Sequence, residues 1–247
     1  MSTVNEAFRR FYPAYEQERH VFRVQAKAAR SISRCRTAAL GGHVSVCKEC
    51  EHTRVSYNSC RDRHCPQCQG VDKAIWVDKR LGETIDAPYF HIVFTIPSEL
   101  HQLIYQNQRL LYNLMYQTVA ETLLELCQDP RYLGAKPGFF SVLHTWGQDL
   151  HYHPHIHTVV MAGGLTKQNK WRASSQKFFI PVRVLAKKFR GKYLHYLRLY
   201  YQEQKLNFYQ SALGLEQPEG FRRLMNICYS KDWYTYVQET FAGPLGV

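Results

Sequence analysis

No stretch of about 18 consecutive apolar residues occurs anywhere in the 247-residue chain, which argues against a membrane-spanning helix. The opening residues, MSTVNEAFRRFYPAYEQ, lack the apolar core of an export signal, so the chain is expected in the cytosol. Acidic residues are scarce: 20 Asp and Glu against 32 Lys and Arg leave a net charge of +12. Such a surplus calls for a polyanionic partner, and charge alone does not separate nucleic acid from an anionic membrane surface. A disordered tail is excluded by 45% hydrophobic and 14% aromatic content, enough for one large core or two modest ones.

The scarcity of acid is sharpest between Lys167 and Lys205, where eleven Lys or Arg face a single acid, Glu203. Aromatic residues are interleaved with them, from Trp171, Phe178 and Phe179 to Phe189, Tyr193, Tyr196, Tyr200 and Tyr201. Basic side chains neutralise phosphates and aromatic rings stack on unpaired bases, so the stretch suits single-stranded or distorted DNA. Lys187, Lys188, Arg190, Lys192 and Arg198 are the expected DNA contacts. Leu185, Phe189, Tyr193, Tyr196, Leu197 and Tyr200 recur at helical spacing, so the same segment reads as a helix whose aromatic residues pack inward.

Six of the eight cysteines fall between Cys35 and Cys68. Cys47 with Cys50 and Cys65 with Cys68 form two C-x-x-C pairs, fourteen residues apart. A two-residue gap lets one tight turn aim two thiolates at a tetrahedral ion, and two such turns complete its shell. Structural disulfides do not fit a chain with no export signal. The expectation is a zinc ion on Cys47, Cys50, Cys65 and Cys68. Cys35, His43, His52, Cys60 and His64 are left over in the same segment, enough to draw in a second ion.

Around this cluster, residues 14–34 read as a basic helix and residues 71–85 as a short one, with a boundary at Ala87-Pro88. Tyr89–Ile96 is dense in aromatic and β-branched residues and reads as a strand. Pro97 ends it, and an amphipathic helix runs to about Asp129 through Leu100, Leu103, Ile104, Leu111, Leu114, Met115 and Val119.

Phe139–Gly147 and His155–Ala162 read as two strands of a hairpin, joined by a histidine-rich link. The segment LHYHPHIHT, from Leu150 to Thr158, carries histidine at 151, 153, 155 and 157. Residues two apart in a strand project from one face about 6–7 Å apart, so His155 and His157 can chelate one ion together. Pro154 cannot donate a ladder hydrogen bond and sets His151 and His153 apart as loop residues. With a loop at 149–152, antiparallel pairing sets Gln148 opposite His153, Trp146 opposite His155 and His144 opposite His157. Gln148 and His144 are both candidate third ligands, because a one-residue slip would turn either to the other face. Imidazole suits zinc, copper, nickel or iron better than magnesium, so these residues leave the ion open.

His-Ile-His at 155–157, preceded by HTWGQDL and by the segment SCRDRHCPQCQG at 59–70, resembles the rolling-circle, two-tyrosine insertion-sequence transposases. That resemblance implies an α+β chain: a small zinc-binding domain over 1–88, then an HUH nuclease domain over 89–247 with a central antiparallel sheet flanked by helices. It implies that His155, His157 and a third polar residue, Gln148 before His144, hold Mg2+ or Mn2+ against the scissile phosphodiester of single-stranded DNA. The DNA is expected to be single-stranded or hairpin ends of a mobile element, in the bacterial cytosol or nucleoid. A tyrosine then attacks and retains a 5′-phosphotyrosine, which splits one difficult transfer into two. FTIP, at 94–97, similarly resembles a strand motif near the nuclease site.

The family's tyrosines sit in a Y-x-x-x-Y helix that follows a segment resembling FAGP, which here is Phe241–Pro244, three residues before Val247. No such motif follows, and the expectation is a truncated product without its nucleophile. Tyr196 and Tyr200 have the right spacing and stand as substitutes. Two other classes fit part of the sequence: a zinc-dependent DNA-binding remnant that cuts nothing, and a metal hydrolase of a small substrate, which leaves the charge and the cysteines unexplained.

Overall fold

A computed structural model describes residues 3–149, 151–174 and 180–241. Phe178 and Phe179 of the basic stretch, Leu150 of the histidine link and Ala242–Pro244 of FAGP lie outside the described residues. The chain divides into two units, Met1–Thr84 and Ile85–Val247. No helix among the described residues is long and apolar enough to cross a membrane.

The first unit is built from α1 (Val4–Glu18), α2 (Arg23–Arg34), a hairpin of β1 (Gly42–Val46) and β2 (Thr53–Tyr57), and α3 (Pro66–Glu83). The single helix expected over 14–34 is two. Arg19 leaves helical geometry, and Phe22 starts α2 with its backbone N–H donating to Gln25 Oε1 at 3.2 Å. Thr3 and Glu6 cap α1 reciprocally. The buried apolar cluster of this unit is small: Ile32, Cys35 and Cys65, with Phe8, Cys60 and Cys68 partly buried against it.

The second unit is an α+β layer. Five antiparallel strands run in the order β4 (Lys136–Trp146), β5 (Tyr152–Leu165), β3 (Tyr89–Thr95) and β7 (Thr235–Phe241), with β6 (Trp171–Ala173) pairing the far end of β5. Helices α4 (His101–Gln106), α5 (Gln108–Gln128), α6 (Val182–Gln202) and α7 (Pro218–Ser230) complete it. The long helix expected through residue 129 breaks at Asn107. Its buried side chain donates to the carbonyls of Leu103 and Asn207 and accepts from the Asn207 N–H, a set of bonds that an unbroken helix would not offer.

Period-2 burial sorts the strands into two faces. Phe90, Ile92, Phe94, Ile156 and Val160 join the core with Leu111, Leu114, Met115, Val119 and Leu123 of α5 and Leu185, Phe189, Tyr193 and Leu197 of α6. Residues of the other parity, His91, Val93, Thr95, His155 and His157, are only half-buried. Phe94 is fully buried and meets Phe189 edge-on at 5.1 Å. Phe94→Ala is expected to cost about 3–5 kcal/mol, read as a lower urea midpoint with an unchanged slope.

Candidate metal centres

In the second unit, strand register gathers the histidines. His144 pairs directly with His155, and Val142 pairs with His157. This differs by two residues from the pairing expected from the sequence, where His144 met His157. The chain closes between Trp146 and Tyr152, and a bulge lies between His144 and Trp146. A shift of two preserves parity, so His144 stays on the face of His155 and His157. The ligand atoms of His144, His155 and His157 all lie within 4.8 Å of one another.

The three imidazoles stand in a cleft of about 850 Å³ lined also by Val93, Thr95, Trp146, Gln148 and Tyr234. Gln148 thus shares the cleft, while His144 stands inside the tripod. His153 lines the cleft too, whereas exposed His151 pairs with Asp149 at 2.8 Å. His155 Nδ1 lies 2.7 Å from the His153 carbonyl oxygen, which accepts its proton and leaves Nε2 free. His91 and Tyr234, both unnoticed in the sequence, belong here. The signal for His91 was available: it alternates with buried Phe90 and Ile92, on the parity of the open face.

Burial, followed by the neighbouring charges of His144, His155 and His91, pulls His157 down to about 4 from an ordinary 6.5. Burial, then His155 and His91, lowers His144 also. Both rings are therefore biased toward the neutral form, the form in which an imidazole can hold a cation. A histidine whose folded pKa is depressed contributes its full stability above the unfolded value and loses it as pH falls. The metal-free protein is expected to lose urea resistance between pH 6.5 and about 4, and His157→Asn to flatten that slope.

Tyr196 and Tyr200 are not brought to these histidines. They lie on α6, which packs on the sheet's opposite face, and both pack against its core. The Tyr196 hydroxyl donates to Glu121 of α5 at 3.0 Å. The basic face of α6 is also partly spent within the unit. Lys188 pairs with Glu125, Lys192 bridges Glu121 and Glu125 at 3.3 and 3.0 Å, and Arg190 donates to the Lys231 carbonyl at 2.6 Å. Of the five expected DNA contacts, Lys187 and Arg198 are exposed, and Lys188, Arg190 and Lys192 are half-buried. The sequence pattern showed the surplus of positive charge but not the two glutamates that α5 sets against it.

In the first unit the structure gathers Cys35, Cys60, Cys65 and Cys68, with all four sulfurs within 4.8 Å of one another. The set differs from the expected one: Cys65 and Cys68 are joined by Cys35 and Cys60, while Cys47 and Cys50 stand exposed at the tip of the β1–β2 hairpin. The reason is topological. The C-terminus of α2 delivers Cys35 to the start of α3, while the hairpin carries the first C-x-x-C pair outward. Cys68 Sγ lies 3.6 Å from Cys35 Sγ and 3.7 Å from Cys60 Sγ, and four sulfurs about 2.3 Å from a tetrahedral zinc sit about 3.8 Å apart. Burial pushes the Cys60 thiol up to about 12. At Cys65 burial acts in the same direction, but the Cys68 N–H, the Cys35 and Cys60 thiols and the Gln67 N–H outweigh it and bring the thiol to about 7. Four thiolates could not share this space without a cation to neutralise them. The donor set fits zinc.

At the hairpin tip the N–H groups of Cys50 and Glu49 and the Cys50 side chain lower the Cys47 thiol. Of the leftover histidines, His64 bonds Asp62 at 3.0 Å, and neither His43 nor His52 forms a metal-ligand group with cysteines among the described residues.

A four-sulfur cluster in one unit and three clustered histidines on a sheet face in the other give the chain two candidate metal centres, one in each unit. Residues 7–96 match the transposase zinc-binding domain and residues 138–247 match the putative transposase family. The chain belongs to the IS91-type family of rolling-circle insertion-sequence transposases. It is 43% identical over 243 residues to the putative transposase y4qJ of Sinorhizobium fredii (strain NBRC 101917 / NGR234), a match covering 98% of this chain and 61% of that protein. It is 31% identical over 151 residues to the transposase for insertion sequence element IS801 of Pseudomonas savastanoi pv. phaseolicola, covering 60% of this chain and 36% of that protein. The chain therefore spans less than two thirds of the length of either relative. A solved structure of the conjugative relaxase TRWC with oriT DNA and copper is similar at a TM-score of 0.34 and 14% identity, covering 57% of this chain and 63% of that one.

Proposed function

We propose that the chain supplies the DNA-holding and cation-holding parts of a strand-cleaving transposase that acts in the cytosol on single-stranded or hairpin ends of a mobile element. The observation that carries this reading is the tripod of His144, His155 and His157 on an open strand face, in a chain of transposase family. Three imidazoles fit zinc, nickel, copper or iron better than Mg2+. A divalent cation bound there supplies Lewis-acid polarisation and orientation of a phosphodiester. The histidines hold and orient. Trp146, 53% exposed, and Tyr234, 65% exposed, line the same cleft and offer rings on which the flanking bases stack.

In the family reaction a tyrosine oxygen displaces the 3′-oxygen of the scissile bond, forming a 5′-phosphotyrosine and freeing a 3′-hydroxyl. Because Tyr196 is held by Glu121 on the sheet's other side, the nucleophile in this reading comes from the part of the enzyme that the longer relatives have and this chain does not match. The second reading, a DNA-binding remnant that cuts nothing, draws on the same placement of Tyr196 and Tyr200.

Labelled single-stranded DNA with and without Mn2+ tests both. Mn2+ is expected to tighten binding by wild-type protein, and the paired change His155→Ala and His157→Ala to erase that increment while keeping the cation-independent part. A covalent adduct that disappears in Tyr196→Phe plus Tyr200→Phe would overturn the exclusion of those tyrosines. Cation-independent binding throughout would leave the remnant reading standing.

A further inference from the structure

The register of the sheet lines up four polar side chains across four strands. Gln238 on β7 pairs directly with His91 on β3. His91 pairs with Val159 on β5, which makes His157 its diagonal neighbour on the same face. His144 on β4 follows, with its ring 4.3 Å from that of His157. Within this row His91 Nε2 lies 2.8 Å from His157 Nδ1, and His91 Nδ1 lies 3.3 Å from Gln238 Oε1. The rings of His91 and His157 are nearly parallel, 20° apart.

His91 is not a fourth member of the tripod, for its near nitrogen faces Nδ1 of His157 at hydrogen-bond distance and the set of mutually close ligand atoms omits it. A hydrogen bond between two neutral imidazoles needs one donor and one acceptor. Gln238 Oε1 can only accept, so the His91 proton belongs on Nδ1, and His91 Nε2 is left as an acceptor. The His157 proton then belongs on Nδ1, which leaves the Nε2 lone pair for a cation. With Gln238 Oε1 facing His91, the amide and the two rings have one consistent assignment, and it is the one a ligand needs.

We propose that His91, backed by Gln238, is a positioning residue that fixes the tautomer and ring rotation of His157. The proposal rests on the reading of His144, His155 and His157 as a cation site. It adds a residue whose part is played before any cation arrives.

Nitrogen-15 NMR of histidine-labelled, metal-free protein reads this directly. His157 is expected as the Nδ1–H tautomer in wild type and as a mixture in His91→Ala. Retention of the single tautomer in His91→Ala would overturn the proposal whatever the site binds. Mn2+ titration followed by electron paramagnetic resonance provides the second readout. His91→Ala is expected to weaken binding by about 10- to 100-fold with the metal-free melting temperature unchanged. His91→Gln, whose amide oxygen can still accept from His157 Nδ1, is expected to recover most of the affinity. Equal losses in His91→Ala and His91→Gln would overturn positioning. A wild-type protein that holds the predicted tautomer yet binds no Mn2+, nickel or zinc at these histidines would instead sink the cation reading while the tautomer assignment stood.

Discussion

Cys60→Ser is expected to unfold residues 3–84, to release the tightly bound zinc and to leave the second unit folded, whereas Cys47→Ser is expected to do none of these. The asymmetry follows from how little else holds the first unit together. Its buried apolar cluster consists of Ile32 with two of the cysteines themselves, Cys35 and Cys65. Val44, Val46, Val55 and Tyr57 of the β1–β2 hairpin and Val71, Ile75 and Trp76 of α3 are exposed. A unit with so small a core needs a staple, and a structural zinc site contributes about 10–16 kcal/mol of folding free energy. That exceeds the whole stability of an ordinary domain, about 5–15 kcal/mol, at all but its upper end. Far-UV circular dichroism reports the loss of helix from α1 to α3, and atomic spectroscopy counts the zinc. Cys60→Ser is expected to hold one zinc ion fewer than wild type and Cys47→Ser the same number. Loss of that ion in Cys47→Ser with retention in Cys60→Ser would restore the set read from the two C-x-x-C pairs.

This contrast shows where sequence spacing stops being informative. C-x-x-C correctly marks a turn that can aim two thiolates, and Cys65 with Cys68 is such a turn at the start of α3. Which thiols complete the shell depends on where α2 ends and where the hairpin points, and neither is a local property. Cys35 and Cys60, without a pairing pattern of their own, looked like leftovers for that reason. Strands were more legible, because burial writes an alternation into them: Tyr89–Thr95 lies within the run of aromatic and β-branched residues read as a strand. The faces of His155 and His157 were also legible, since parity survives a two-residue error in register. The identity of the third histidine was not, because the bulge next to His144 arises from how the hairpin closes. Nor was the row from Gln238 to His144 legible. It joins residues from positions 91, 144, 157 and 238, and only the order of the sheet makes them neighbours.

The two sides of the second unit are therefore chemically distinct. One face of β5 carries Ile156, Thr158 and Val160 into the core, where α6 contributes Phe189, Tyr193 and Leu197. The other carries His155 and His157 into the cleft. A Y-x-x-x-Y spacing on α6 consequently presents Tyr196 to Glu121 rather than to an ion. Helical spacing brings two hydroxyls to one face of a helix. It does not choose the face of the sheet.

Replacing His155 and His157 together with alanine is expected to lower the affinity for Mn2+ by more than about 100-fold, beyond what loss of an outer-shell partner alone costs, with the fold retained. Retention follows from the same alternation: the two side chains lie on the half-buried face, and fully buried Ile156 and Val160 on the core face are untouched. Removing one ligand at a time resolves the third position. His144 sits within 4.8 Å of the other two ligand atoms, so His144→Ala is expected to weaken Mn2+ binding strongly. Gln148 lines the cleft after the end of β4, and Gln148→Ala is expected to change affinity little. Isothermal titration with each variant, alongside its urea midpoint, separates loss of the site from loss of the fold. A strong effect of Gln148→Ala together with a silent His144→Ala would transfer the third ligand to the amide. His144 would then be a ring packed between Trp146, at 5.5 Å, and His157.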